Sequence, residues 1–126
     1  MSAPAANLSF VTERQLIQMV GEDSAAGHLE SKGMRVLCRN WRCRFGELDL
    51  VALDGDTLVF VEVKCRTRDR LYDPALAVDQ RKQHRVRRLA EAYIVIERPH
   101  FRYCRFDVVS VVASKPVRLT HLADAF

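Results

Sequence analysis

The sequence lacks the patterns that announce a zinc finger, a disulfide framework, a membrane span or an export signal. Its four cysteines, Cys38, Cys43, Cys65 and Cys104, form no Cys-x-x-Cys pair, and its four histidines are not spaced to complete a zinc site. Reduced thiols in a cytoplasmic protein are therefore the expectation. No segment approaches the roughly 18 consecutive apolar residues of a membrane helix. Met1 to Asn7 has neither the charged start nor the apolar core of a signal peptide. No internal repeat is visible, and no element looks like a reader of the DNA major groove.

What is present suits one compact unit. At 126 residues and 48% hydrophobic content the chain can build one core, so residues 1–11 are expected to be a flexible arm and 12–126 a single domain. The net charge of +4 is mild, but the positive excess is local. Arg35, Arg39, Arg42 and Arg44 form one cluster, Lys64, Arg66, Arg68 and Arg70 a second, and Arg81, Lys82, Arg85, Arg87 and Arg88 a third. Such clusters suit a polyanion such as nucleic acid, although a solvated basic face is the commoner meaning of any one of them.

Two alternating runs flank Asp54-Gly55-Asp56-Thr57, whose Asp-Gly step tolerates the positive φ of a tight turn, and predict an antiparallel hairpin. Alternation sends Leu48, Leu50 and Ala52 to one face and Glu47, Asp49 and Val51 to the other. A loop of two residues (Gly55-Asp56) or four sets Asp49 opposite Glu62 and Glu47 opposite Lys64. A loop of Asp54-Gly55 instead pairs Glu47 with Glu62. Either register leaves all four on one face. Facing carboxylates repel, at a few tenths to about 1 kcal/mol. A divalent cation held by both, with the Lys64 ammonium beside them, would offset that, and the bland alternative is an amphipathic hairpin with a wet polar face.

Around the hairpin the pattern is helix, three strands, helix, strand, which predicts an α/β fold: a small mixed central β-sheet with a helix on each side. Thr12 and Gln15 form a capping-box pair that opens a helix running to Ser31 and stopping at Gly33. Gly21 marks an expected break in it, and Leu16, Met19, Ala26 and Leu29 an inward stripe. Glu22 falls on or beside that stripe, either needing a partner or reaching solvent at its edge. Met34–Arg39 reads as a strand. Trp41 either stacks on a base or, more ordinarily, packs on the core. A basic loop follows the hairpin, and Ala75–Ile96 reads as a helix capped by Asp79. Its stripe is Val86, Leu89, Ala90, Tyr93 and Ile94, with Lys82 one turn earlier on the same side. Arg81, Arg85 and Arg88 form an outward ridge. Arg105–Val112 is the last strand, in which Asp107 is expected to pair with a basic group. Residues from Ala113 onward carry little signal.

Assembled, these residues carry a resemblance. Asp49, a spacer containing a turn, and Glu62-Val63-Lys64 resemble the D…(D/E)-x-K signature of the restriction-endonuclease-like PD-(D/E)XK nucleases, and a helix bearing Glu22 makes the chain most similar to their Holliday-junction-resolvase branch. More closely, Gly21-Glu22, Asn40, Gly46-Glu47-Leu48-Asp49-Leu50, Phe60-Val61-Glu62-Val63-Lys64, Ala77-Val78, Lys82 and Arg105-Phe106-Asp107-Val108-Val109 resemble the YraN family of small bacterial proteins. Leu48 stands where the superfamily usually has proline.

The resemblance implies a restriction-endonuclease-like fold and a Mg²⁺-dependent endonuclease, Mn²⁺ substituting, acting on DNA that is branched or single-stranded. Asp49, Glu62 and the Val63 carbonyl would hold the metal, Lys64 would orient or deprotonate the attacking water, and Glu22 would complete the catalytic set. Lys82 and Glu47 are auxiliary candidates, and Glu47 has three open roles: a pair with Lys64, a ligand through water, or a residue of the open edge. Arg66, Arg68, Arg70, Arg81, Arg85 and Arg88 would hold phosphates without reading sequence. Resolvase-like relatives commonly act as homodimers. Two alternatives stand beside the nuclease. A non-catalytic nucleic-acid binder would be weakened by the unneutralised carboxylates, and a basic module for an acidic protein would make no use of them.

Overall fold

The first helix begins where its capping pair predicts. The Thr12 hydroxyl accepts from the Gln15 amide at 3.1 Å, and the Gln15 carboxamide oxygen accepts from the Thr12 amide at 2.9 Å. This reciprocal cap opens α1 (Glu13–Ser31). The computed structural model describes residues 11–67 and 78–126. Residues 1–10 of the predicted arm at 1–11, and Arg68, Arg70 and Ala77, lie outside the described residues.

α1 is continuous through Gly21, against the expected break. Glycine is there for contact: a Cβ at Gly21 would lie 2.5 Å from Cβ and 2.8 Å from Sγ of Cys65 on the sheet. The predicted stripe is also displaced. Leu16 and Met19 are 44% and 50% exposed, and the inward face is Gly21, Glu22, Ala25, Ala26 and Leu29. Only the second half of the helix lies on the sheet, where small residues permit close approach. Its first turns overhang a cavity, lined by Arg14, Gln15, Ile17 and Gln18; Gln18 continues the inward face, and Leu16 and Met19 lie to its outer side.

Five strands follow: β1 (Arg35–Cys43), β2 (Gly46–Asp54), β3 (Thr57–Arg66), β4 (Tyr103–Val112) and β5 (Arg118–Leu122), with α2 (Gln80–Glu97) between β3 and β4. They form one sheet in chain order. The β3–β4 pair is parallel and the others antiparallel, so the sheet is mixed. The hairpin loop is Gly55-Asp56, with Asp54 opposite Thr57 and Gly55 at φ 58. β5 carried no clear signal because its inward residues are Leu119 and His121, and a polar inward residue erases the alternation.

Two apolar layers sandwich the sheet. Leu50, Ala52, Val59, Val61 and Val63 pack with Ala25, Ala26 and Leu29 of α1. Leu48, Val51, Leu58 and Phe60 pack with Val86, Leu89, Ala90 and Tyr93 of α2. Leu48 was expected beside Leu50 and Ala52 but joins Val51 on the opposite layer, so strict alternation fails between residues 48 and 51. The β2–β3 ladder is continuous only up to Leu50 opposite Val61; beyond that point β2 is paired with β1 alone, across from Asn40 at φ 53. α2 is capped by the Asp79 carboxylate, which accepts from the Lys82 amide at 2.8 Å. Trp41 takes its structural reading: it meets Tyr93 edge-on at 5.4 Å and donates to Glu97 at 3.1 Å. Asp107, fully buried, accepts from Arg105 at 3.0 Å, from the Asp124 amide at 3.0 Å and meets His121 at 2.7 Å. Its predicted basic partner is thus Arg105. No described helix is long and apolar enough to cross a membrane.

Candidate active site

The site opens where the β2–β3 ladder stops. Past Leu50 and Val61 the Val63 amide donates to Asp49 Oδ2 at 2.8 Å, so a side chain takes the place of a ladder acceptor. Asp49, Glu62, Val63 and Lys64 then line one cavity of about 610 Å³, roofed by the first turns of α1.

Glu22 reaches Asp49 from α1. It is 5% exposed, and both its oxygens are held by neutral amides: Asn40 Nδ2 donates to Oε1 at 3.1 Å and Gln18 Nε2 to Oε2 at 3.2 Å. Asn40 stands at φ 53, a left-handed position that asparagine tolerates. Gln18 Nε2 also donates to the Val63 carbonyl at 3.2 Å, tying the helix to β3. Carboxylate oxygens of Glu22, Glu47 and Asp49 lie within 4.8 Å of one another. Glu47 does not pair with Lys64: its Oε2 accepts from Arg42 Nε at 2.6 Å, at the rim of the acidic cluster.

Glu62 is held from the other layer. Lys82 of α2 stands 2.7 Å from its Oε1, and Lys64 stands 3.7 Å from the same oxygen. Among the described residues, Asp49 Oδ1 and Glu62 Oε2 therefore carry no hydrogen bond, while every oxygen of Glu22 is taken.

The charges act on one another. Burial, then the neighbouring charges of Glu62, Glu22 and Glu47, push the Asp49 carboxyl up to about 7, against the lowering effect of the Val63 amide. Burial also raises Glu22, with Glu47 adding to it and Gln18 opposing. Lys64 is lowered from the ordinary lysine value by burial and then by the Lys82 ammonium. Burial works against the charge on Lys82 as well, but its contacts with Glu62 and Lys64 outweigh that and hold it high. Two carboxylates with spare oxygens thus face two ammonium groups of unequal proton affinity.

Of the predicted phosphate ligands, Arg81, Arg85 and Arg88 lie exposed along α2. Arg66 is half-buried, with Nη2 donating to Ser110 Oγ at 3.1 Å, so part of its hydrogen-bonding is directed into the sheet. Gln18 was not singled out from the sequence. Its position one turn before Glu22 on the same helix was the available signal.

A family model described as uncharacterised protein family UPF0102 matches residues 21–111. The chain belongs to the UPF0102 family. A UPF0102 protein of Frankia casuarinae is 51% identical over 109 residues, covering 84% of this chain and 92% of that one. One from Syntrophus aciditrophicus is 47% identical over 109 residues, 85% of each chain. Another, from Nocardia farcinica, is 42% identical over 127 residues, 98% of this chain and 99% of that one. The UPF0102 match opens at Gly21, the residue that lets α1 touch β3, and spans Glu22, Asp49, Glu62, Lys64 and Lys82. β5 lies beyond it.

Proposed function

We propose that this protein is a metal-dependent endonuclease that hydrolyses phosphodiester bonds in DNA. The observation that supports it most is the division among the acids: each oxygen of Glu22 accepts from an amide, whereas Asp49 and Glu62 each keep one oxygen without a partner among the described residues, beside the Val63 carbonyl. The donors are hard oxygens with no imidazole or thiolate among them, which fits Mg²⁺ or Mn²⁺. Asp49 Oδ1, Glu62 Oε2 and the Val63 carbonyl would hold the ion. When bound, it would neutralise phosphoryl charge and make water a better nucleophile.

The remaining work falls to the chain's own groups. Lys64, with its depressed proton affinity, can exchange a proton more readily than an ordinary lysine and orient the attacking water. Lys82 stays charged and would offset the negative charge that develops on the phosphoryl oxygens. Glu22 and Gln18 fix the Val63 carbonyl and the floor of the cluster. Exposed arginines along α2 attract the polyanion without selecting bases.

The test is cleavage of linear, flapped and four-way-junction DNA with Mg²⁺ or Mn²⁺, against a chelated control. Lys64→Ala and Glu62→Gln are each expected to slow cleavage by about 10²-fold or more. Activity unchanged in both variants, or no cleavage by the parent of any substrate, overturns the reading.

A further inference from the structure

The turn joining β1 to β2 leaves an aromatic ring on the surface. Phe45 is 50% exposed, beside Gly46, whose φ of 139 is one that residues with a side chain rarely adopt. Cations surround the ring. The Arg88 guanidinium lies 5.1 Å from its centroid and that of Arg44 lies 5.6 Å from it. Phe45, Arg81, His84, Arg85 and Arg88 wall a cavity of about 370 Å³, with no carboxylate among the described residues of its lining. Among the described residues Arg81, Arg85 and Arg88 have no ion-pair partner.

A ridge of arginines alone suits any polyanion. The exposed ring narrows the choice, because it offers a flat apolar face to something that also carries phosphates. We propose that Phe45 is the stacking platform of a single-stranded nucleic-acid site, on which one unpaired base lies while Arg81, Arg85 and Arg88 hold the flanking phosphates. A paired base in a duplex has both faces covered by its neighbours, so only an unpaired one can use the ring. A base that displaces one guanidinium leaves the other on the ring and turns the displaced one toward phosphate. The ridge also has a destination. From Arg88 to Arg81 is about 10 Å along the helix, roughly three stacked nucleotides, and the next residue, Lys82, is the one on Glu62. The inference rests on the nucleic-acid part of the proposed function and not on cleavage.

The test is binding of a fluorescein-labelled oligothymidylate in EDTA and low salt, read by anisotropy, beside an abasic chain and a blunt duplex of equal length. Phe45→Ala is expected to weaken oligothymidylate binding by about 10-fold and duplex binding by less than about twofold. Phe45→Trp should restore affinity, whereas Phe45→Leu, which keeps apolar bulk without a ring, should not. The abasic chain should bind the parent as weakly as oligothymidylate binds Phe45→Ala. Parent affinity in Phe45→Leu, or equal losses on single strand and duplex, overturns the platform. A protein seated on Phe45 and the neighbouring Val95 and Ile96 predicts no change in single-strand affinity, and that result overturns it too. Binding is read in EDTA, apart from cleavage, so an absence of cleavage by the parent with Mg²⁺ refutes the nuclease while leaving this site standing.

Discussion

Replacing Asp49 with asparagine should stabilise the metal-free protein, increasingly as pH rises from about 4 to about 7. The amide keeps the volume and an oxygen to accept from the Val63 amide, now at 2.8 Å, and removes the charge repelled by Glu62, Glu22 and Glu47. The carboxyl is pushed from 3.8 up to about 7, roughly three pK units at about 1.36 kcal/mol each, so the ceiling is about 4 kcal/mol. Partial solvent access brings the expectation down to about 2 kcal/mol. The sign follows from linkage. The folded chain binds this proton more tightly than the unfolded chain, so this group's contribution to stability declines as pH rises from about 4 through about 7. Urea unfolding in EDTA should therefore show Asp49→Asn more stable than the parent at pH 8, with most of that difference gone at pH 4. Addition of Mg²⁺ should reverse the order at pH 8, because ion binding stabilises only a chain that can hold it, by about 2.7 kcal/mol at a hundred times Kd. An equal difference at both pH values, or a variant weaker than the parent at pH 8 without metal, would refute the repulsion assigned to the cluster.

Other perturbations test other parts. Gly21→Ala gains up to about 1 kcal/mol of helix propensity but drives a Cβ to 2.5 Å from Cys65, so calorimetry should show a net loss of about 1–2 kcal/mol, relieved by Cys65→Gly. An unchanged Tm would mean the helix does not rest there. Asp107→Ala strips the buried partner from Arg105 and His121 and should cost about 3–5 kcal/mol in chemical unfolding. A loss under about 1 kcal/mol would show that water or another acid replaces it. Lys82→Ala frees Glu62 Oε1 and should tighten Mn²⁺ binding severalfold in titration calorimetry while slowing cleavage. Weaker Mn²⁺ binding would refute competition between ammonium and cation for that carboxylate.

Much of the architecture was legible in the residues. The capping pair at Thr12 and Gln15, the Gly55-Asp56 turn and the Asp79 cap all act over a few residues, and local chemistry suffices to place them. What failed was decided by tertiary contact. Gly21 looks like a helix breaker until β3 is laid against it, and Leu16 and Met19 look inward until the packed face, from Gln18 through Glu22 to Leu29, proves to be turned away from them. Leu48 was misplaced because period-two alternation presumes an unbroken ladder, and the ladder ends at Leu50. The candidate site fared similarly. Asp49, Glu62, Lys64 and Lys82 meet as the spacing suggested, whereas the ties from Gln18 and Asn40 to Glu22 depend on which way an amide turns, and spacing is silent on that.

β3 separates the two apolar layers and also carries Glu62 and Lys64. Leu58 and Phe60 serve one layer, Val59, Val61 and Val63 the other, and the acid and the amine continue the first set. Inserting or deleting a single residue upstream in this strand would exchange the occupants of both layers at the same stroke as it turned the acid and amine away from α2. Mutation therefore has no gradual route by which the chemistry slides along this strand while the protein stays folded, and variation in the family should accumulate at the Gly55-Asp56 turn and along the outer face of α1.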